Sequence, residues 1–420
     1  MTAVALDSPL NIGTLSVNGR LYKSATGETR ASDDGFVTDE LLEFYEPMLI
    51  GGVPLIITGN AFISRGGKGV VREIGADNDD KIPGLRRLAD LVHRYESTVF
   101  GQINHCGRQV AKHDDPVSAS DVREPTTGCR PRPLHIDEIP EIAGQYAAAA
   151  ERLQRAGFDG VQIHMAHGYL ISQFLTPHTN RRADAYGGSF DNRIRFAREV
   201  LVAVRERVGA DFPVIAKING HDKLAFRDGL DTEALVRVAQ QLQDAGLDAV
   251  EISAAHYESG LYTSRGSVSK LFSGMADGVF KEAPAARRRA LTVLGPVLAA
   301  FGNVAWRYSE GFNLDFARKF AQALRIPVIC VGGWQHRDAM VSAINAGGCD
   351  AVAAARAFIA DPLFYTHALE RGEAMPACTF CNACVAYTGE AELTCFDPLV
   401  RAERDRMLRN EIDWYPRRKA

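Results

Sequence analysis

The chain has 420 residues, of which 46% are hydrophobic and 24% charged, and a formal net charge of -4. That is the profile of an ordinary globular enzyme with a large buried core, and for want of a basic excess nothing argues for a nucleic-acid partner. No apolar run reaches the ~20 residues needed to span a bilayer, and the opening MTAVALDSPLNIGTLSV lacks the basic segment and continuous apolar core of a secretory leader, which predicts a cytoplasmic protein.

In chain order, short apolar runs predict buried parallel strands at residues 21–25, 53–58, 98–104, 213–218 and 326–331. Three further strands close a repeated pattern in which a helix stops at Gly and turns extended, at 156–163, 245–252 and 346–355. Amphipathic helices are predicted at 142–156, 192–208, 232–245, 315–324 and 337–346. Eight strands alternating with helices predict an α/β chain folded as a (β/α)8 TIM barrel, with chemistry at the carboxyl ends of its strands. An open doubly wound sheet would leave His105, His164 and Lys217 without a common mouth.

Two stretches break the alternation. Residues 107–132, rich in Pro, Asp, Ser and Arg, predict a loop over the mouth, and an insertion of about 256–313 follows the sixth strand. Within it, Arg287, Arg288 and Arg289 precede an apolar stretch to Phe301, expected to pack as a helix on the barrel with its arginines solvated. The barrel is assigned to residues 1–370 and a short cysteine-rich extension to 371–420.

His164, His167 and Tyr169 follow the strand at 159–163. Two imidazoles one turn apart can donate to one oxyanion, and a phenol with a pKa near ~10 can supply a proton while uncharged at rest. That equipment suits polarising a carbonyl and protonating a carbon.

The run from His164 to Arg193 matches H-x2-[NH]-x-Y-L-x2-Q-F-L followed by N-x-R-x-D-x-Y-G-G-S-x-x-N-R, and in this it resembles the Old Yellow Enzyme family of FMN-dependent oxidoreductases. The resemblance implies that His164 and His167 bind the substrate's electron-withdrawing oxygen, that Tyr169 is the proton donor, and that the loop from Asn180 to Arg193 braces the mouth. It also implies a flavin over the barrel. Thr26 would tune the ring through its hydroxyl, and Ala25 and Gly59 would let backbone approach it. Gln102, in a segment similar to the family's Q-[IL]-x-H-x-G-R, would pair with the pyrimidine edge. Lys217, a costly charge inside an apolar strand, would stabilise negative charge near N1 and O2, and His105 would support the pocket. Gly332 and Gly333, with Ala355 and Arg356, would hold the phosphate; Ala355 departs from the Gly usual at its position.

Cys378, Cys381, Cys384 and Cys395 crowd together, which in a reducing compartment suggests a metal, either tetrahedral zinc or an iron–sulfur cluster. A similar run in the branch resembling trimethylamine dehydrogenase and 2,4-dienoyl-CoA reductase favours a [4Fe–4S] cluster. The leading expectation is reduction of an activated C=C bond of a small molecule, with NAD(P)H as electron donor. The alternative is an FMN/iron–sulfur amine dehydrogenase or N-demethylase, with Tyr257, Tyr262 and Trp306 around a cation and a separate electron-transfer protein as partner. A homo-oligomer is left open.

Overall fold

The computed structural model describes residues 3–110, 115–271, 285–389 and 391–412. The tip of the loop after the third strand (111–114), the centre of the insertion (272–284) and the end of the extension (413–420) lie outside the described residues.

Eight parallel strands form the barrel: β1 (Leu21–Lys23), β2 (Leu55–Phe62), β3 (Thr98–Asn104), β4 (Gly160–His164), β5 (Val214–Asn219), β6 (Ala249–Ser253), β7 (Val328–Val331) and β8 (Ala351–Ala354). Each pairs with the next and β8 pairs with β1, so no edge is left open. All eight predicted strands are present, with ends displaced by a few residues.

The outer ring is α1 (Asp39–Ile50), α2 (Ile82–His93), α3 (Glu138–Arg155), α4 (Phe190–Val208), α5 (Thr232–Asp244), α6 (Leu314–Ala323), α7 (Arg337–Asn345) and α8 (Phe364–Glu370). Side-chain oxygens start several of them: Thr38 accepts from Leu41 N, Ser189 from Asn192 N and Asp231 from Ala234 N. Sequence reading missed α1 and α2. In α1 the cause is composition, because Pro47 lies inside the helix and proline normally argues against one.

The three repeated segments share a physical function. Asp159, Asp248 and Asp350, each just ahead of its strand, accept the backbone N–H of Val99, Val214 and Val328 at 2.8 Å. Each aspartate thereby ties the start of one strand to the start of the next, β3 to β4, β5 to β6 and β7 to β8.

Strand alternation sorts the side chains into two cores. Leu21, Ile56, Val99, Ile163 and Val352 face the helices. Tyr22, Ile57, Phe100, Ile215, Ile329 and Ala353 fill the barrel interior, which the N-terminal hairpin Leu10–Ile12 and Leu15–Val17 closes from below. Above this apolar plug the inward positions turn polar.

In the insertion, helix Ala285–Ala305 buries Ala299 with Val268, Leu271 and Ala386, while Val293, Leu294, Val297, Phe301 and Val304 are exposed. The expected helix is there. In the extension, helix Pro398–Glu411 packs Leu408 on Leu363 beside α8. Among the described residues no helix is long and apolar enough to cross a membrane.

Candidate active site

The polar layer above the plug is one hydrogen-bonded chain. Gln102 Nε2 donates to Gln162 Oε1 at 2.5 Å, Gln162 Nε2 to Glu251 Oε2 at 2.6 Å, and Ser24 Oγ to Glu251 Oε1 at 2.5 Å. Lys217 Nζ donates to Ser24 Oγ at 3.1 Å and lies 3.4 Å from Glu251. Sheet register explains the meeting, since Gln102 is the partner of Gln162 across β3 and β4, and Lys217 of Glu251 across β5 and β6. Lys217 therefore already has a carboxylate partner, and Gln102 is turned to Gln162 rather than standing alone at the mouth.

At the end of β4 the chain turns sharply. His167 has φ 61° and Gly168 φ 79°, and a Cβ on Gly168 would lie 2.2 Å from the His256 ring, so only glycine fits there. The turn brings His167 within 5.0 Å of His164 and Tyr169 within 4.8 Å of His164, ring centre to ring centre. The Ala166 N–H donates to His164 Nδ1 at 3.2 Å, which leaves the proton of a neutral His164 on Nε2, directed to His167 Nδ1 at 3.3 Å. His167 Nε2 is in turn 2.7 Å from Ser253 Oγ. The two rings act in series on Ser253, not side by side as two free donors.

Burial holds both imidazoles neutral: it pushes His164 well down, with His167 and Lys217 adding to the effect, and His167 down to about 3, with Lys217 adding. Burial also raises the Tyr169 phenol well above its ordinary value. Tyr169 is a neutral acid at any physiological pH.

A cavity of about 320 Å³ opens at these strand ends. Ala25, Thr26, His167, Tyr169, Lys217, Gly332, Gly333, Ala355 and Arg356 all line it. Gly59, Gln102 and His164 do not: His164 supports His167, which does, Gln102 is bonded to Gln162, which does not, and the Gly59 N–H is bound by Glu28 Oε1 at 2.6 Å, with Tyr45 on the same oxygen. His105 is buried, with Leu170 N donating to its carbonyl at 3.0 Å. Thr26 Oγ1 accepts from Lys23 Nζ at 2.9 Å and keeps its own proton to donate. Sequence reading missed Ser24, Gln162, Glu251 and Ser253. The signal for Gln162 and Glu251 was the one that found Lys217, a polar residue inside an aliphatic strand.

The loop from Asn180 to Arg193 is held by bonds within itself and to the neighbouring segments around 119–134 and 174–175. Asn180 Nδ2 donates to Phe174 O and Tyr186 O, both at 2.7 Å, Arg182 pairs with Asp184, and Arg193 Nε donates to Leu175 O at 3.0 Å.

The cysteines depart from expectation. Among the described residues no three His, Cys, Asp or Glu side chains are placed to hold a metal ion. Cys378 Sγ accepts from Phe380 N at 3.4 Å and Cys395 Sγ turns to Asp397 O at 4.0 Å, so these sulfurs are engaged in their own turns. Burial pushes Cys378 up to about 12 and Cys384 up to about 11, with Arg356 opposing both shifts. Cys384 lines the cavity. Cys378, Cys381, Cys384 and Cys395 act electrostatically on one another, but the described residues give no support to a [4Fe–4S] cluster.

Residues 5–234 match the NADH:flavin oxidoreductase / NADH oxidase family. The chain belongs to that family. This family member is 33% identical to the NADH oxidase of Thermoanaerobacter brockii over 88% of its own length and 52% of the relative's. It is 31% identical to the 4,4'-dithiodibutanoate disulfide reductase of Rhodococcus erythropolis over 91% of its own length and 93% of the relative's. It thus spans about half the length of the first relative and nearly all of the second. Among solved structures it is similar to morphinone reductase in complex with tetrahydroNAD, with a TM-score of 0.67 and 26% identity over 92% of this chain and 96% of that one.

FMN, which the family implies, fits the residues present. The cavity is lined by two cationic side chains, Lys217 and Arg356, and by the small residues Ala25, Gly332, Gly333 and Ala355. Gly333 takes φ 74°, and a Cβ there would press to 2.9 Å on the Tyr308 ring. Gly332, Gly333, Ala355 and Arg356 would hold the phosphate and Lys217 the pyrimidine edge.

Proposed function

We propose that this flavin oxidoreductase reduces an activated C=C bond, of the enone or enoate type, in a small molecule, with NADH or NADPH as the source of electrons. The observation that carries the reading is a buried neutral phenol, Tyr169, on the same cavity wall as a neutral imidazole and facing a floor with a lysine. The hydride for the β-carbon would come from FMN, when bound.

The chain's own residues do the rest. His167 exchanges its Ser253 contact for the substrate's carbonyl oxygen, and His164 orients it through Nδ1. As a neutral N–H donor, His167 stabilises the developing enolate charge without protonating the oxygen. Tyr169 then transfers its phenolic proton to the α-carbon. Tyr169→Phe is expected to lower turnover of 2-cyclohexen-1-one about 100-fold or more while FMN stays bound; full activity in that variant would contradict the assignment.

Oxidation of an N-methylated amine, with electrons passed to a partner protein, has less support. Lys217 and Arg356 line the cavity, and the Tyr262 ring expected to receive a cation already carries Lys223 at 5.2 Å and Arg265 at 4.1 Å. Product analysis with the enone against an N-methylated amine separates the two.

A further inference from the structure

The Tyr262 ring carries two cations that the reaction above does not use. Lys223 Nζ lies 5.2 Å from its centre and the Arg265 guanidinium 4.1 Å. They arrive from different strand ends, Lys223 from the loop after β5 and Arg265 from the insertion after β6. Lys223 also lies over Phe316 at 5.0 Å, and Arg265 over Phe312 at 5.5 Å.

Neither charge is neutralised. Among the described residues neither side chain takes part in an ion pair, and the Arg265 Nε–H is buried with no hydrogen-bond partner. The carboxylates on the segment that follows Lys223 are committed elsewhere. Asp222 accepts from Thr176 Oγ1 at 2.8 Å and from Leu230 N at 2.9 Å, Asp231 caps α5, and Glu233 pairs with Lys319. An aromatic face attracts a cation but cannot cancel its charge, so two like charges on one ring repel until an anion joins them. The backbone at Lys223 is held for this placement: its φ is 54°, uncommon for a residue with a side chain, and its N–H donates to His221 Nδ1 at 2.9 Å.

The two cations stand at the cavity rim. Tyr257, Thr263, Ser264 and Phe312 all line the cavity, and Arg265 follows directly on Ser264. Tyr257 N donates to His167 O at 3.0 Å, which ties this segment to the wall that carries His167 and Tyr169. Arg265 O accepts from Arg356 Nη1 at 2.8 Å.

We propose that Lys223 and Arg265 form an anion site on the cavity rim, which takes the phosphate or carboxylate oxygens of the molecule that reacts at the flavin. A guanidinium fork beside an ammonium suits such oxygens, and they would supply the acceptor that Arg265 Nε lacks. Two molecules can bring them: NADH or NADPH through its diphosphate, and the enone through a carboxylate tail. The second source rests on the enone reading above; the first needs only the flavin chemistry of the family.

The test uses FMN-loaded enzyme with Lys223→Gln, Arg265→Gln and the double variant. In one arm, stopped-flow reduction by NADH is compared with reduction by N-benzyl dihydronicotinamide, which has no phosphate. In the other, dithionite-reduced enzyme is oxidised anaerobically by 6-oxohept-4-enoate or by its methyl ester. The double variant is expected to lower the charged-to-neutral ratio of rate constants about tenfold or more in at least one arm, and Arg265→Lys to recover part of the loss left by Arg265→Gln. A fall with NADH puts a diphosphate on the rim, and a fall with the enoate puts a carboxylate there. Ratios that stay at the wild-type value in both arms overturn the proposal, even if charged and neutral reagents slow together. A loss of FMN affinity without a change in either ratio also overturns it, because the cations would then serve the flavin phosphate. If wild-type enzyme reduces neither the enoate nor its ester, the enone reading fails while the NADH arm still decides the rim.

Discussion

The floor of the cavity and the C-terminal extension bury reactive groups in opposite ways. On the floor, Ser24, Gln102, Gln162, Lys217 and Glu251 come from five separate strand ends, yet each meets a partner at 2.5 to 3.4 Å. A closed barrel with a two-residue side-chain period leaves them no other neighbours. In the extension, Cys378, Cys384 and Cys395 share one small apolar cluster and, with Cys381, act electrostatically on one another, but the hydrogen bonds of Cys378 and Cys395 are to their own turns. Sheet register joins polar groups through hydrogen bonds to each other; the extension brings thiols near one another without such bonds.

That contrast can be broken or sharpened by experiment. The largest effect is expected from Glu251→Leu, which strands the Lys217 ammonium in the core and should cost about 3–5 kcal/mol of stability, read from urea midpoints. A loss no larger than that of a surface substitution would mean the chain of polar contacts is not a unit.

The imidazoles above the floor should make stability depend on pH. His167 titrates near 6.5 when unfolded and about 3 when folded. Between these values the unfolded chain binds more protons, so stability is fully present above the unfolded value and falls as pH drops through the window. The slope is about 1.4 kcal/mol per pH unit for this group. His167→Asn should flatten the decline between pH about 6 and 4; an unchanged slope would place it in other groups.

The smallest effect belongs to the extension. Cys378→Ser keeps an acceptor for the Phe380 N–H and should cost about 1 kcal/mol. A collapse comparable to that of Glu251→Leu would show that the sulfurs act together, against the local contacts described here.

The barrel was legible in the chain because buried strands and glycine-terminated helices leave a period that survives in one dimension. The site was legible where a polar residue interrupts an apolar run, as at Lys217, or where the motif around Tyr169 is long. The series coupling from His164 through His167 to Ser253 was not, because it depends on a positive-φ turn and on a strand 86 residues away along the chain. The exposed row on helix Ala285–Ala305 was not legible either, because composition shows which residues are apolar and not which side of a helix finds a neighbour.

The aspartate ties join β3 to β4, β5 to β6 and β7 to β8, and no such tie joins β1 to β2, where the register holds one pair, Lys23 with Ile56. Three of the eight seams are thus clasped, and of the five that are not, the one between β1 and β2 has the shortest register. That seam runs past Ser24, Ala25 and Thr26 on the cavity wall, so the least firmly paired strand of the cylinder is also one that borders the cavity.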